Sequence, residues 1–356
     1  MEIKIENQLI GRDHPTYFIA DIAANHDGDL ERAKKLIHLA AEAGADAAKF
    51  QNFRAENIVS DYGFRQMGRQ VSHQASWEKS VVDVYDEASI PFDWTPILKE
   101  ECDRAGIHYF SSPYDLEAVD MLESYVPAYK AGSGLITWIE MMEYMAKKPV
   151  PFIMSTGASD LCDVTRAVRA VTAVNEQVVL LQCNTNYTAD PKNFDHIHLN
   201  VLKTYRNLFP NVVVGLSDHT HGLATVLGSV ALGARVIERH FTDDNERVGP
   251  DHKFATNPED WSRMVKETRK LERALGSTDK FVAENEKETV IIQRRCLRAA
   301  KSIESGEKIT RDMVEPLRPA SPGAIEPYQI DEVIGKVALE DLPFGKEIRW
   351  ADLGAG

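Results

Sequence analysis

The chain lacks any apolar run approaching the ~18–20 residues that a membrane-spanning helix needs, so no bilayer crossing is expected. Cysteine is scarce and scattered. Cys102, Cys162, Cys183 and Cys296 form no CxxC pair, which argues against both a disulfide framework and a thiolate zinc site, and reduced thiols are the expectation. A basic excess is also missing: 41 Lys and Arg stand against 55 Asp and Glu, for a formal charge of −14. Nucleic-acid binding rests largely on cations that neutralise phosphates, so this balance opposes it. The opening Met1-Glu2-Ile3-Lys4-Ile5-Glu6 has neither the apolar core of a secretion signal nor the acid-poor, Arg-rich character of a transit peptide, and a cytoplasmic location is expected. Internal repeats and low-complexity tracts are absent as well.

What is present is an ordinary globular composition, 43% hydrophobic and 27% charged, in 356 residues. That length suits one large domain and a smaller one. Eight short β-rich runs alternate with amphipathic stretches: 17–24, 45–51, 107–112, 128–132, 151–156, 178–183, 212–217 and 235–240. The pattern predicts βα units closing into a (β/α)8 TIM barrel. Between the first two runs, 29–43 places Leu30, Ala33, Leu36, Ile37 and Ala40 on one helical face, and Gly44 supplies the stop. The connection 52–92 breaks the rhythm; it is expected on the catalytic face as a lid, with a solvated excursion over 65–73 as the alternative. Residues 276–292 read as a polar linker. A turn-rich β domain follows over 293–356, leaving the barrel to 1–275.

Barrel enzymes carry their chemistry at the C-terminal ends of the strands, and here those ends are polar. They offer Asp21 and Asn25, Lys49 and Gln51, Ser112, Lys130 and Ser133, Ser155 and Thr156, Asn184 and Tyr187, Ser217 and His219, and His240. Lys49 and Lys130 lie in runs of apolar or small residues, where a buried ammonium needs an anionic partner. Flanked by serines, they suit a phosphate and a carboxylate, with a Schiff-base role for one lysine as the alternative. His219 and His240 close the last two strands on one side, and imidazole nitrogens there suit a divalent first-row metal with positions left for substrate and water. Asp251, in Gly249-Pro250-Asp251-His252, is placed to hold a carboxylate over the mouth, as a base or a sugar ligand. His26 and His252 are left out of the metal set, with solvent-facing loop positions as their alternative reading.

Several blocks together resemble the sialic acid synthase family. They are Ala20-Asp21-Ile22-Ala23-Ala24-Asn25-His26-Asp27-Gly28, Ala48-Lys49-Phe50-Gln51, Gly215-Leu216-Ser217-Asp218-His219-Thr220, Val236-Ile237-Glu238-Arg239-His240-Phe241-Thr242 and Gly249-Pro250-Asp251-His252. The resemblance implies a barrel followed by a small antifreeze-like (SAF) domain, and condensation of phosphoenolpyruvate with an aminosugar aldehyde to a nonulosonic acid with release of phosphate. It further implies Mn²⁺ on His219 and His240, with Mg²⁺, Co²⁺ or Fe²⁺ as alternatives. Lys49, Lys130, Ser112, Ser133, Ser155 and Ser217 would surround phosphoenolpyruvate, and Gln51, Tyr187 and Asp251 would face the sugar. A domain-swapped homodimer in which Arg318 reaches the partner's barrel is also implied.

The chain departs from the family pattern in four places. Asp21 stands where Glu is usual, and two extra residues follow Arg318-Pro319. Asn184-Thr185-Asn186-Tyr187-Thr188 does not end in Tyr-Pro, and Leu135 replaces an acidic residue. A leucine accepts no hydroxyl hydrogen bond, so a less polar or differently substituted sugar is expected there. N-acetylmannosamine, its 6-phosphate and diacetamido-trideoxyhexoses leading to legionaminic or pseudaminic acid all remain in view. Two readings from other classes compete: a Schiff-base pyruvate aldolase and a non-catalytic carbohydrate-binding protein.

Overall fold

The computed structural model describes residues 1–68, 74–75 and 77–356. The chain divides into two compact units, Met1–Gly276 and Ser277–Gly356. The first begins with an antiparallel hairpin, β1 (Glu2–Ile5) and β2 (Gln8–Gly11), which the sequence reading did not anticipate. Eight parallel strands follow: β3 (Tyr17–Asp21), β4 (Ala47–Asn52), β5 (His108–Pro113), β6 (Tyr129–Ala131), β7 (Phe152–Ser155), β8 (Val178–Cys183), β9 (Val213–Asp218) and β10 (Val236–His240). Their order, β5-β4-β3-β10-β9-β8-β7-β6, joins the last strand to the first, and β5 and β6 lie side by side at the seam. The result is a nearly closed TIM-type barrel, as the alternating pattern predicts, with each expected strand recovered to within a few residues.

Strand side chains alternate between the barrel interior and the helical layer. Inward residues Tyr17, Ile19, Ala47, Phe110, Ala128, Ile153, Val179, Leu181, Val213 and Val236 form one apolar core with Ile3, Ile5 and Ile10 of the hairpin. The hairpin also binds the strands' starting ends, since Lys4 N donates to Gln177 Oε1 and Gln8 Nε2 to Asp46 Oδ1. It therefore plugs the N-terminal end. Outward residues such as Phe18, Ala48, Phe50, Tyr109, Met154, Leu180 and Leu216 pack with the helices in a second core. The helix Leu30–Glu42 contributes Ala33, Leu36, Ile37 and Ala40 and is capped by Asp29, whose carboxylate accepts from Glu31 N and Arg32 N.

The long connection after β4 is largely helical. It contains Ala55–Ile58, Asp61–Gln66 and Val81–Ala88, joined by an apolar cluster of Ala55, Val59 and Val81 with Ile58, Phe64, Trp77, Val82 and Tyr85. Of the stretch 65–73, Arg65 and Gln66 end a helix, while 69–73 lie outside the described residues.

The second unit has two small antiparallel pairs, β11 (Cys296–Ala299) with β12 (Val314–Leu317) and β13 (Val337–Ala338) with β14 (Leu353–Gly354). Leu297, Ile303, Ile309, Ile325, Val333, Leu342 and Ile348 form its core. Within the stretch read as a linker, Lys287–Gln293 is helical, and the Ile291 carbonyl accepts from Ala320 N.

Candidate active site

At the C-terminal ends of the strands the inward positions turn from apolar to polar and open into a cavity of about 610 Å³. Asp21, Lys49, Gln51, Lys130, Ser133, Ser155, Tyr187, Ser217, His219, His240 and Asp251 all line it. The backbone register explains the convergence. Asp21 pairs with Lys49 and His240, and Glu238 lies two residues before His240 on the same face. At Gly215 a Cβ would stand 2.3 Å from the Val236 carbonyl oxygen and 2.4 Å from Leu181 Cδ2, so only glycine lets β9 run this close below the site.

The floor is an ionic lattice. Lys49 Nζ lies 2.6 Å from Asp21 Oδ2 and 3.7 Å from Glu238 Oε2, while Lys130 Nζ lies 3.4 Å from Glu238 Oε1. Burial disfavours the Lys49 ammonium, but Asp21 and Glu238 outweigh it and raise its pKa. Burial likewise opposes ionisation of Glu238, yet Lys130 and Lys49 hold its carboxyl down to about 2. Lys130 is lowered, because burial and the neighbouring Lys49 exceed the pull of Glu238. Glu238, named in the sequence only as part of a motif, is a further candidate that lines the cavity. Its signal was parity with His240. Ser217 Oγ donates to Glu238 Oε1 at 3.2 Å, Lys49 Nζ reaches Ser112 Oγ at 3.5 Å, and Ser155 Oγ is buried without a protein partner.

His219 and His240 face one another with ring centres 5.4 Å apart. Metal–imidazole bonds of about 2.1 Å put each ring centre roughly 3.3 Å from a shared ion, so this separation is compatible with joint ligation. His219 Nδ1 lies 2.9 Å from the Asn184 carbonyl oxygen, which makes Nδ1 the protonated nitrogen and leaves Nε2 with its lone pair. Burial, reinforced by His240, lowers His219 to about 4, and burial lowers His240 too, so both rings are neutral at pH 7. His240 Nδ1 is buried with no hydrogen-bond partner; Asp251 Oδ2 and Asp21 Oδ2 stand 3.6 Å from its two nitrogens. Tyr187 and Phe254 pack edge-on against both rings. Two neutral, fixed imidazoles fit a divalent first-row cation. Among the described residues no group of three or more His, Cys, Asp or Glu side chains is arranged to hold a metal ion.

Other sequence-selected residues lie outside the cavity lining. Asn25 is fully buried and donates to the Phe241 carbonyl at 2.9 Å, tying the turn after β3 to the end of β10. Thr156 Oγ1 donates to the Leu181 carbonyl and accepts from Tyr205 OH, and Asn184 Nδ2 donates to the His196 carbonyl. Ser112 sits behind Lys49. Arg318 is exposed in the second unit. His26 and His252 overturn the solvent-facing alternative, since both are 0% exposed. His26 packs edge-on against Trp94, and burial lowers its pKa to about 4. His252 is held between Asp27 and Thr242, which fixes the loop carrying Asp251.

Residues 36–280 match the NeuB family and 294–354 match the SAF domain. The chain is 33% identical to the N,N'-diacetyllegionaminic acid synthase of Campylobacter jejuni, covering 94% of this chain and 99% of that one. It is 32% identical to the human N-acetylneuraminate-9-phosphate synthase, covering 93% and 90%. A solved N-acetylneuraminic acid synthetase from Leptospira borgpetersenii, in complex with citrate, superposes with a TM-score of 0.71 at 27% identity, over 82% of this chain and 95% of that one. With most of the barrel inside the family match and the small domain inside the other, this chain belongs to the NeuB family and carries a C-terminal SAF domain.

Proposed function

We propose that the chain is a transferase that condenses phosphoenolpyruvate with an N-acetylated aminosugar aldehyde to give a nonulosonic acid, with release of phosphate. One observation carries the reading: two neutral histidines and two buried ammonium groups line a single cavity. Lys49 and Lys130, with Ser133, Ser155 and Ser217, are the groups we assign to the carboxylate and phosphate of phosphoenolpyruvate. His219 and His240 would hold a divalent cation, Mn²⁺ first, with Mg²⁺, Co²⁺ or Fe²⁺ as alternatives; when bound it supplies Lewis acidity toward the sugar aldehyde. Gln51, Tyr187 and Asp251 orient the sugar. C3 of phosphoenolpyruvate attacks the aldehyde carbon, whose oxygen takes up a proton from solvent to become a hydroxyl, and the positive charge that develops at C2 is stabilised by the carboxylates of the floor. Water then adds at C2 and Asp21 accepts one of its protons; the C2–O bond to phosphate breaks as the remaining hydroxyl becomes the C2 carbonyl, its proton leaving with the phosphate. The proposal includes a homodimer in which Arg318 completes the partner's site, and a soluble, cytoplasmic protein; no helix of the described residues is long and apolar enough to cross a membrane.

Phosphate release should require both phosphoenolpyruvate and an aminosugar aldehyde, and should stop on chelation. In ¹⁸O-water the label should enter the product's C2 oxygen and leave the phosphate unlabelled; labelled phosphate would reject the C–O route. The lowered pKa of Lys130 favours a second reading, Schiff-base aldol chemistry with this amine as nucleophile. Borohydride trapping of a pyruvate adduct on Lys130, with activity surviving a chelator, would select that reading instead.

A further inference from the structure

Outside the cavity lining, a chain of charged side chains ties the turn after β3 to the loop after β10. Asp27 stands at its centre. Its Oδ1 accepts from His252 Nε2 at 2.8 Å, while its Oδ2 lies 3.1 Å from Arg32 Nε and 3.3 Å from Arg247 Nη1. Arg32, only 8% exposed, is fixed in turn by a two-pronged bond to Asp243, at 2.6 and 3.1 Å, and by donating from Nε to the Asn25 carbonyl. Thr242 Oγ1 grips His252 from the other side, 2.7 Å from Nδ1, and the His252 carbonyl accepts from Asn245 Nδ2.

The loop 243–251 is placed from this base, since Val248 at its tip is 99% exposed and packs on nothing. A Cβ at Gly249 would stand 2.7 Å from His252 Cδ2 and 3.6 Å from Asp27 Oδ1, so the returning chain lies directly on this ring and carboxylate before it delivers Asp251 to the cavity. There Asp251 Oδ2 accepts from Ala24 N at 3.3 Å and stands 3.6 Å from His240 Nδ1.

Resting on the synthase reading, we propose that Asp27 is a positioning residue of the active site: its carboxylate holds His252, and His252 sets its chain neighbour Asp251 where that group orients the sugar. Asp27 itself touches no substrate. Without it His252 Nε2 loses its acceptor, Arg32 and Arg247 are left to share Asp243, and the loop resettles. A misplacement of about 1 Å in an orienting group costs up to about a hundredfold in rate. The loss falls on the aldehyde alone, because Lys49 and Lys130, the groups assigned to phosphoenolpyruvate, are held by Asp21 and Glu238 and not by this network.

The test follows phosphate release by the full chain with phosphoenolpyruvate, Mn²⁺ and whichever of N-acetylmannosamine, its 6-phosphate and a 2,4-diacetamido-2,4,6-trideoxyhexose the wild type uses best. Asp27 has a left-handed backbone, φ 53°, so Asp27→Gly removes the carboxylate without straining the turn. Its kcat/KM for the aldehyde should fall at least about tenfold. KM for phosphoenolpyruvate should stay within about twofold of wild type, and Asp27→Gly combined with Asp251→Ala should be within about twofold of Asp251→Ala alone, since both act through one carboxylate. If Asp27→Gly does not accumulate as folded protein, Thr242→Val, which removes the hydroxyl on the other side of the ring, is put through the same comparison. A smaller fall for the aldehyde, an equal loss toward phosphoenolpyruvate, or losses that multiply in the double variant overturns this inference alone. No release from the wild type with any aldehyde overturns the synthase reading along with it.

Discussion

The two faces of β9 and β10 use similar residues for opposite ends. Inward, Ser217, Glu238 and His240 open into the cavity beside Lys49 and Lys130. Outward, Asp218 and Arg239 are equally buried and equally polar, yet they bond only within the fold: Asp218 accepts from Thr220 and Thr225 and lies 3.5 Å from Arg239 Nε, while Arg239 Nη1 donates to the Gly222 carbonyl. Inward groups keep capacity free for something else, shown by the unpartnered Ser155 Oγ and His240 Nδ1. On these two strands, unused bonding capacity rather than polarity separates the cavity-facing groups from the braces.

The comparison can be broken most directly at the adjacent pair 218 and 219. His219→Ala should lower kcat roughly 10³-fold, about 4 kcal/mol of barrier, with the fold retained by circular dichroism. Activity within a few-fold of wild type would remove His219 from the site. Asp218→Ala should act on the other account and lower the unfolding free energy in urea by about 3 kcal/mol, because Arg239 is left buried without its carboxylate. Activity per folded molecule should stay near wild type; a collapse of turnover at unchanged stability would erase the distinction between the faces.

A smaller effect sharpens the same contrast at His26, a buried histidine turned toward Trp94 rather than the cavity. Its folded pKa, about 4, lies below the unfolded value near 6.5, so the unfolded chain takes up the proton first. The stabilisation is complete above the unfolded value and is lost as pH falls from about 6.5 toward 4. Urea unfolding at pH 7 and pH 5 should differ by about 2 kcal/mol more in wild type than in a His26→Gln variant. Equal slopes in the two proteins would show that His26 takes up its proton in the fold at the same pH as in the unfolded chain.

Much of this was legible beforehand because the barrel repeats one physical pattern. Strand runs, glycine stops after helices, and polar residues at successive strand ends located the sheet and brought Lys49, Lys130, His219 and His240 to one cavity. The N-terminal hairpin also carries a strand period, Ile3 and Ile5 alternating with Glu2 and Lys4, but each of its strands is only four residues long and gives too few repeats to stand out. Glu238 and Asp218 show the limit of motif reading. Each stands in a recognisable block, but only strand parity sends one inward and the other outward. The apolar part of the cavity lining was beyond reach for a different reason: Ile58, Val84 and Tyr85 join Leu135 and Trp138 there from two loops far apart in sequence, which no local period encodes.

The pairing of two ammonium groups with two carboxylates leaves the floor formally neutral, on a protein whose formal charge is −14. If the proposed function holds, a multiply charged anion such as phosphoenolpyruvate would be pushed away at long range and held only after arrival. Added salt should then speed its capture by shortening the reach of that repulsion, opposite in sign to a site that advertises itself with an open positive field.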